Sequence, residues 1–144
     1  LGDQLLCKDF DDNELELLQS LLEEESYDAG DIICQEGEPA DKVYFLASGR
    51  VSASVRLDHK RRLRLSASVA GWTFGESALF RGHIRTADIV ADSPVRVYSL
   101  DPERLQEQAS PVATQMRMKL LGNLSELSIV RLGHVNREIK ILTS

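Results

Sequence analysis

From Tyr27 to Leu100 the chain is a series of short apolar segments, each ended by a turn signal. Segments rich in Val, Ile, Tyr and Phe predict strands at Ile32–Gln35, Lys42–Ser48, Val51–Leu57, Leu63–Val69, Asp88–Ala91 and Val95–Leu100. Between them stand Ala29-Gly30-Asp31, Glu36-Gly37-Glu38-Pro39, Ser48-Gly49, Ala70-Gly71 and Asp92-Ser93-Pro94. Val51-Ser52-Ala53-Ser54-Val55 alternates apolar with polar, the mark of a strand with one buried face. Many short strands at this spacing indicate an antiparallel sandwich or a closed barrel-like roll. The expected fold is mainly β: an antiparallel eight-stranded β-roll, or jelly-roll, over residues 25–100.

Helices flank the roll. Asp11 and Glu14 have capping-box spacing, and Leu15, Leu18, Leu21 and Leu22 follow at helical intervals. An N-terminal helix is expected over 10–24, with Phe10 as a hydrophobic staple before the cap. Asp101-Pro102 and Ser110-Pro111 each place a capping side chain before proline, predicting two C-terminal helices in 101–144. The first runs from Pro102 to about Ala109 and the second from Pro111 towards Leu142, with a break near Gly133. The 144 residues suffice for one domain, and 42% hydrophobic content with 28% charged is ordinary for a globular chain.

Charge and composition exclude several classes. A net charge of −6 argues against a nucleic-acid partner. The basic run Lys60-Arg61-Arg62-Leu63-Arg64 reads as a solvated hairpin tip. The apolar runs are too short to span a bilayer, and no export signal is legible, so a cytoplasmic setting is expected and no membrane contact by this segment. Cys7 and Cys34 then read as reduced thiols, Cys34 within a core strand. Leu at position 1 suggests a piece of a larger protein.

Catalysis is not expected. His59, His83 and His134 stand apart, without the clustered ligands that a metal requires. Gly75-Glu76-Ser77 lacks the second glycine of a nucleophile elbow, since Leu79 stands there. The segment Phe74–Ala87 carries a different chemistry. Gly75 and Glu76 open it, and Arg85, Thr86 and Ala87 close it. Glycine allows close approach of the backbone, arginine offers a planar fork to phosphate oxygens, and a carboxylate accepts hydrogen bonds from a sugar hydroxyl. Two readings fit the spacing alone: an anion pocket, or a turn closed by a Glu76–Arg85 ion pair.

The order of elements, together with three motifs, resembles the cyclic nucleotide-binding domain. Tyr27-Asp28-Ala29-Gly30-Asp31-Ile32-Ile33 with Glu36-Gly37-Glu38 is similar to that family's first hairpin. Asp41–Val51 is similar to the strand-turn-strand that follows. Gly71, Phe74-Gly75-Glu76, Ala78-Leu79 and Arg85-Thr86-Ala87 resemble its phosphate-binding cassette, at 74–87. The resemblance implies a regulatory domain that binds cAMP in preference to cGMP and acts on an effector domain in the same polypeptide. Glu76 would hold the ribose 2′-hydroxyl, and Arg85 the cyclic phosphate. The backbone of Gly75, Glu76 and Ala87 would enclose the phosphate, with Ser77 beside them and Val69, Ala78 and Leu79 as an apolar wall. Thr86 matches the position from which some members reach the guanine amine, which keeps cGMP open. Ile84 departs from the proline frequent before the arginine. The tail, Lys119 through Ile139, resembles that of sensor domains fused to bacterial glutaminases and sulfate permeases. A heptad reading of Met118, Leu121, Leu132, Val135, Ile139 and Leu142 offers a homodimer contact through the C-terminal helix. The alternative is a ligand-free interaction module of the same fold.

Overall fold

The structure, a computed structural model, describes residues 4–75, 78 and 83–126. After a 3-10 turn at Leu5–Cys7 comes helix α1, Asp12–Leu21. Eight strands follow among the described residues: β1 Leu22–Tyr27, β2 Ile32–Cys34, β3 Val43–Ser48, β4 Arg50–Arg56, β5 Arg62–Val69, β6 Thr73–Phe74, β7 Asp88–Ala91 and β8 Val95–Leu100. Helix α2, Pro102–Gln106, and helix α3, covering 111–126, complete the described chain. The break expected near Gly133 lies outside the described residues.

The strands form two antiparallel sheets, in the orders β1-β8-β3-β6 and β2-β7-β4-β5. Their alternation sets up three layers, the helices, the first sheet and the second. Val43 and Phe45 of β3 face the helices with Leu18, Met116 and Leu120, whereas Tyr44 and Leu46 face the second sheet with Val51, Phe74 and Val97. The first sheet is therefore buried on both faces. On the second sheet Val51 of β4 faces that core, and Ser52 and Ser54, on the other side of the strand, are buried as well. The turn between β3 and β4 needs Gly49, since its φ is +89° and a Cβ would lie 2.4 Å from the Pro94 carbonyl oxygen.

Two elements differ from expectation. The N-terminal helix stops at Leu21, not Glu24, and the next six residues are β1. Three successive glutamates have little strand preference, but β1 is an edge strand where they can meet cations. Glu24 lies 3.5 Å from Arg96, and Glu25 lies 3.5 Å from Lys42. Pairing of Leu22 with Leu100 and Tyr27 with Val95 overrides local propensity. The other is β6, two residues long and too short to leave a pattern.

The N-terminal segment is tied to α3 by a polar cluster. Asp11 caps α1 by accepting from the Glu14 N–H at 2.8 Å, and Glu14 Oε1 accepts from the Asp11 N–H at 3.0 Å. That carboxylate is fully buried and also takes the ammonium of Lys119. Lys119 donates in addition to the Asp9 carbonyl at 2.8 Å, and Asn123 donates to the carbonyls of Leu6 and Lys8, both at 2.8 Å. A buried carboxylate left without its cation is strongly unfavourable. Replacing Lys119 with Met is expected to lower unfolding free energy by roughly 2–4 kcal/mol, measured by urea denaturation; a change within experimental error would mean that the pair contributes nothing.

Candidate functional site

The site starts from a two-strand ladder outside the sheets. The Gly37 N–H donates to the Arg85 carbonyl at 2.9 Å, and the Arg85 N–H donates to the Glu38 carbonyl at 2.8 Å. Ala40 donates to the His83 carbonyl at 3.0 Å, and Pro39 bridges Ile84. The Glu36–Pro39 turn thus clamps the backbone on either side of Arg85. The clamp takes its geometry from main-chain groups, so Ile84 serves where proline was expected.

So fixed, Arg85 sends its side chain inward, and only 6% of the residue is exposed. Its Nη1 donates to the Gly75 carbonyl at 2.9 Å, and its Nη2 to the Lys42 carbonyl at 2.7 Å. Gly75 has φ +72°, and a Cβ there would lie 2.8 Å from Nη1 and 3.1 Å from both the Lys42 carbonyl oxygen and Tyr44 Cδ2. Glycine is required twice over, for its dihedral and for this close approach. The Gly75 carbonyl also accepts from the Ala78 N–H at 3.2 Å. One carbonyl therefore joins the arginine to the start of the cassette.

Aromatic and thiol groups surround the guanidinium. Tyr44 stacks on Phe74 with ring centroids 4.9 Å apart and planes inclined by 9°. Burial pushes the Cys34 thiol up from 9.0 to about 11, against the opposing pull of the Arg85 charge and a hydrogen bond with Tyr44. Burial likewise raises the Tyr44 phenol, again opposed by Arg85. The cation thus sits among neutral groups of low polarity, where its attraction for an anion is screened little.

Of the residues expected at the site, Gly75 and Arg85 are brought together and Ala78 joins them through the shared carbonyl. Ala78 is buried, but in the helix-facing core. Thr86 and Ala87 follow Arg85, the first exposed and the second half-buried. Val69 is elsewhere: it pairs with Arg50 at the end of β5 and is 49% exposed. Its register places it opposite to the inward-facing Val51, so it does not wall the Arg85 group. Glu76, Ser77 and Leu79 lie outside the described residues. The sequence reading placed Phe74 in the cassette but did not bring Lys42, Tyr44 or Cys34 to the site. The inward alternation of Tyr44 could have flagged that side chain; a backbone carbonyl such as that of Lys42 leaves no trace in residue type. Among the described residues no group of three or more His, Cys, Asp or Glu could hold a metal ion. No described helix is long and apolar enough to cross a membrane.

Comparison with known proteins places this geometry in a family. Residues 24–110 match the cyclic nucleotide-binding domain. Over 147 aligned positions the chain is 33% identical to glutaminase 1 of Bradyrhizobium diazoefficiens, with all of the chain and 22% of that protein covered. It is 30% identical to the cGMP-dependent protein kinase egl-4 of Caenorhabditis briggsae, over 76% of the chain and 13% of the kinase. The chain therefore spans a small part of the curated relatives it matches. Among solved structures, a cyclic nucleotide-binding domain from Methylobacillus flagellatus superposes with a TM-score of 0.84 at 22% identity, covering 97% of this chain and 81% of that one.

The buried thiol makes a pH signature. Cys34 holds its proton more tightly folded than unfolded, so its contribution to stability is complete below about pH 9 and is lost as the pH rises towards 11. The Tyr44 phenol acts in the same direction at higher pH. Urea midpoints are expected to fall across that window, less steeply in Cys34→Ala; parallel curves for the two proteins would remove Cys34 as a source.

Proposed function

The chain belongs to the cyclic nucleotide-binding domain family, and on that premise we propose that it is a cytoplasmic sensor of cAMP whose occupancy is read by an effector domain in the same polypeptide. The observation that carries the proposal is Arg85. A guanidinium is buried against Gly75 with two of its donors on main-chain carbonyls, fixing the fork in place. An arginine so oriented suits the exocyclic oxygens of a cyclic phosphate. Glu76 supplies the ribose hydroxyl contact in this proposal, and the Gly75, Glu76, Ser77 and Ala87 backbone encloses the phosphate.

The base is the open choice. Thr86 is exposed and follows the anchoring arginine directly, where its hydroxyl can meet a guanine amine. An adenine needs nothing from it, and cAMP is the ligand we propose. The effector has the character of the larger proteins that carry such a domain, a glutaminase or a transporter. The chain is similar to 22% of one glutaminase, which supports an effector of that size. The second reading, an interaction module without ligand, is favoured by one observation: the Arg85 donors already have carbonyl partners.

Titration calorimetry with cAMP and cGMP separates these readings. The chain is expected to bind cAMP, and Arg85→Gln to weaken binding about ten- to a hundredfold. Thr86→Ala is expected to leave cAMP affinity unchanged and to lower that for cGMP. No heat with either nucleotide at about millimolar concentration, in protein shown to be folded, would establish the ligand-free module instead.

A homodimer through α3 is a separate part of the proposal. Met118 is 70% exposed and Leu121 50% exposed, three residues apart and so on one face of the helix. Leu132, Val135, Ile139 and Leu142, which would continue that seam, lie outside the described residues. Light scattering is expected to give a dimer mass for the chain and a monomer mass for Leu121→Glu; equal masses would discard the seam.

A further inference from the structure

The basic hairpin run is more organised than a solvated tip. Arg50, Arg56, Lys60, Arg61, Arg62 and Arg64 fall within fifteen residues that contain one acid, Asp58, in a chain of net charge −6. Four of these arginines lie on the outer face of the second sheet and are held there by two carboxylates from the β7 region. Asp88, fully buried, takes Arg56 at 3.3 Å and Arg62 at 3.1 Å, and accepts from the Glu36 N–H at 2.7 Å. Asp92 takes Arg64 at 3.0 Å and Arg50 at 3.8 Å, and accepts from the Ser52 hydroxyl at 2.9 Å. Arg62 also donates to the Ser54 hydroxyl at 3.1 Å. Two carboxylates against four guanidiniums leave a surplus of two positive charges. The arginine side chains remain between 38% and 54% exposed, so they are oriented but not used up.

Beside this array runs a groove of about 400 Å³, whose lining includes Ile32, Ser52, Ser54, Arg62, Arg64 and Val90. The registers Ile32↔Val90, Val90↔Ser52 and Ser54↔Arg64 put these residues on one face, from the β2 edge to the β5 edge. Small serines make the low centre of the groove. At one end stand the arginines, and at the other an apolar pair in which Ile32 is 45% exposed.

We propose that this face is a docking surface for an extended acidic segment of a partner protein, with carboxylates on Arg62 and Arg64 and an aliphatic side chain against Ile32 and Val90. Charge complementarity names the acidic part, and the apolar end of the groove names the rest. A nucleic-acid backbone or an anionic bilayer surface would use the positive charge but not the recess. The surface lies on the outer face of its sheet, away from Arg85 and its inward-facing neighbours, and does not depend on nucleotide binding.

The probe is a short fluorescein-labelled peptide in which glutamate alternates with valine, titrated by anisotropy. Saturable binding is expected, weaker at about 0.15 M salt than at low salt. Arg62→Gln combined with Arg64→Gln is expected to weaken it about tenfold. Ile32→Ser is expected to weaken it several-fold while leaving an all-glutamate peptide unaffected. Absence of saturable binding at about millimolar peptide overturns the proposal, as does unchanged affinity in the double variant once circular dichroism shows it folded. If the double variant does not fold, Arg64→Gln alone and Ile32→Ser decide, and unchanged affinity in both overturns the proposal. Tighter binding of inorganic polyphosphate or phosphatidylserine vesicles than of the peptide also overturns it, by identifying a general polyanion surface.

Discussion

A single buried cation organises the interior of the roll. The Arg85 guanidinium is almost wholly buried, and it is tolerable there because carbonyls from two other segments accept its hydrogen bonds. Those carbonyls belong to Gly75, at the end of β6, and Lys42, just before β3. Three stretches distant in sequence are therefore held in one register by one side chain. Gly75 can come so close only because it lacks a Cβ. The turn at Gly37 holds the backbone from which the arginine reaches inward. Cys34 and Tyr44 fill the space around it with groups that burial keeps neutral, so the positive charge has no buried anion to neutralise it among the described residues.

Much of this was legible in the sequence, because its signals were local. The Val51–Val55 alternation reported a sheet with one wet face. Asp11 with Glu14 reported a helix start, and both reciprocal bonds are present. For Phe74–Ala87 the spacing left an anion pocket and a structural ion pair equally open, and only the neighbouring glycine motifs pointed to a cassette. Its failures were tertiary. The glutamates of β1 are strand residues because Leu100 and its neighbours pair with them, and because Lys42 and Arg96 meet their charges. Val69 is apolar and adjacent to the cassette in sequence, yet register turns it to the outer face. A shift of one residue decides which face a strand side chain occupies, and spacing alone cannot fix that shift when a bulge intervenes. Such an irregularity lies between Ala53 and Ser54, in the partner strand of β5.

The two sheets divide the work between them. The first is covered on both faces, by the helices and by the second sheet, so its strands contribute cohesion. The second exposes one face, and charge gathers there. Buried Asp88 and the more exposed Asp92 orient arginines on that face just as main-chain carbonyls orient Arg85 inward. In both places an arginine is fixed by acceptors behind it, which removes much of the side-chain entropy that a flexible cation would lose on meeting an anion. The same residue type is thus held in two parts of one domain in the same physical way.

The shared carbonyl of Gly75 gives the cassette a mechanical meaning. It accepts from Arg85 Nη1 and from the Ala78 N–H together. Ala78 belongs to the core that contains Met116, Leu120 and Leu124 of α3, and α3 carries the lysine and asparagine that hold the N-terminal segment. An anion that recruits the guanidinium competes with the carbonyl for its donors. In the proposed function the balance at Gly75 then changes, and with it the seat of Ala78 against α3. A bound ligand can bias the helices only through a difference of this kind between two arrangements. Contacts made equally in both would add affinity and transmit nothing. The Gly75 carbonyl is one place in the described chain where the Arg85 guanidinium and packing against α3 draw on the same atom.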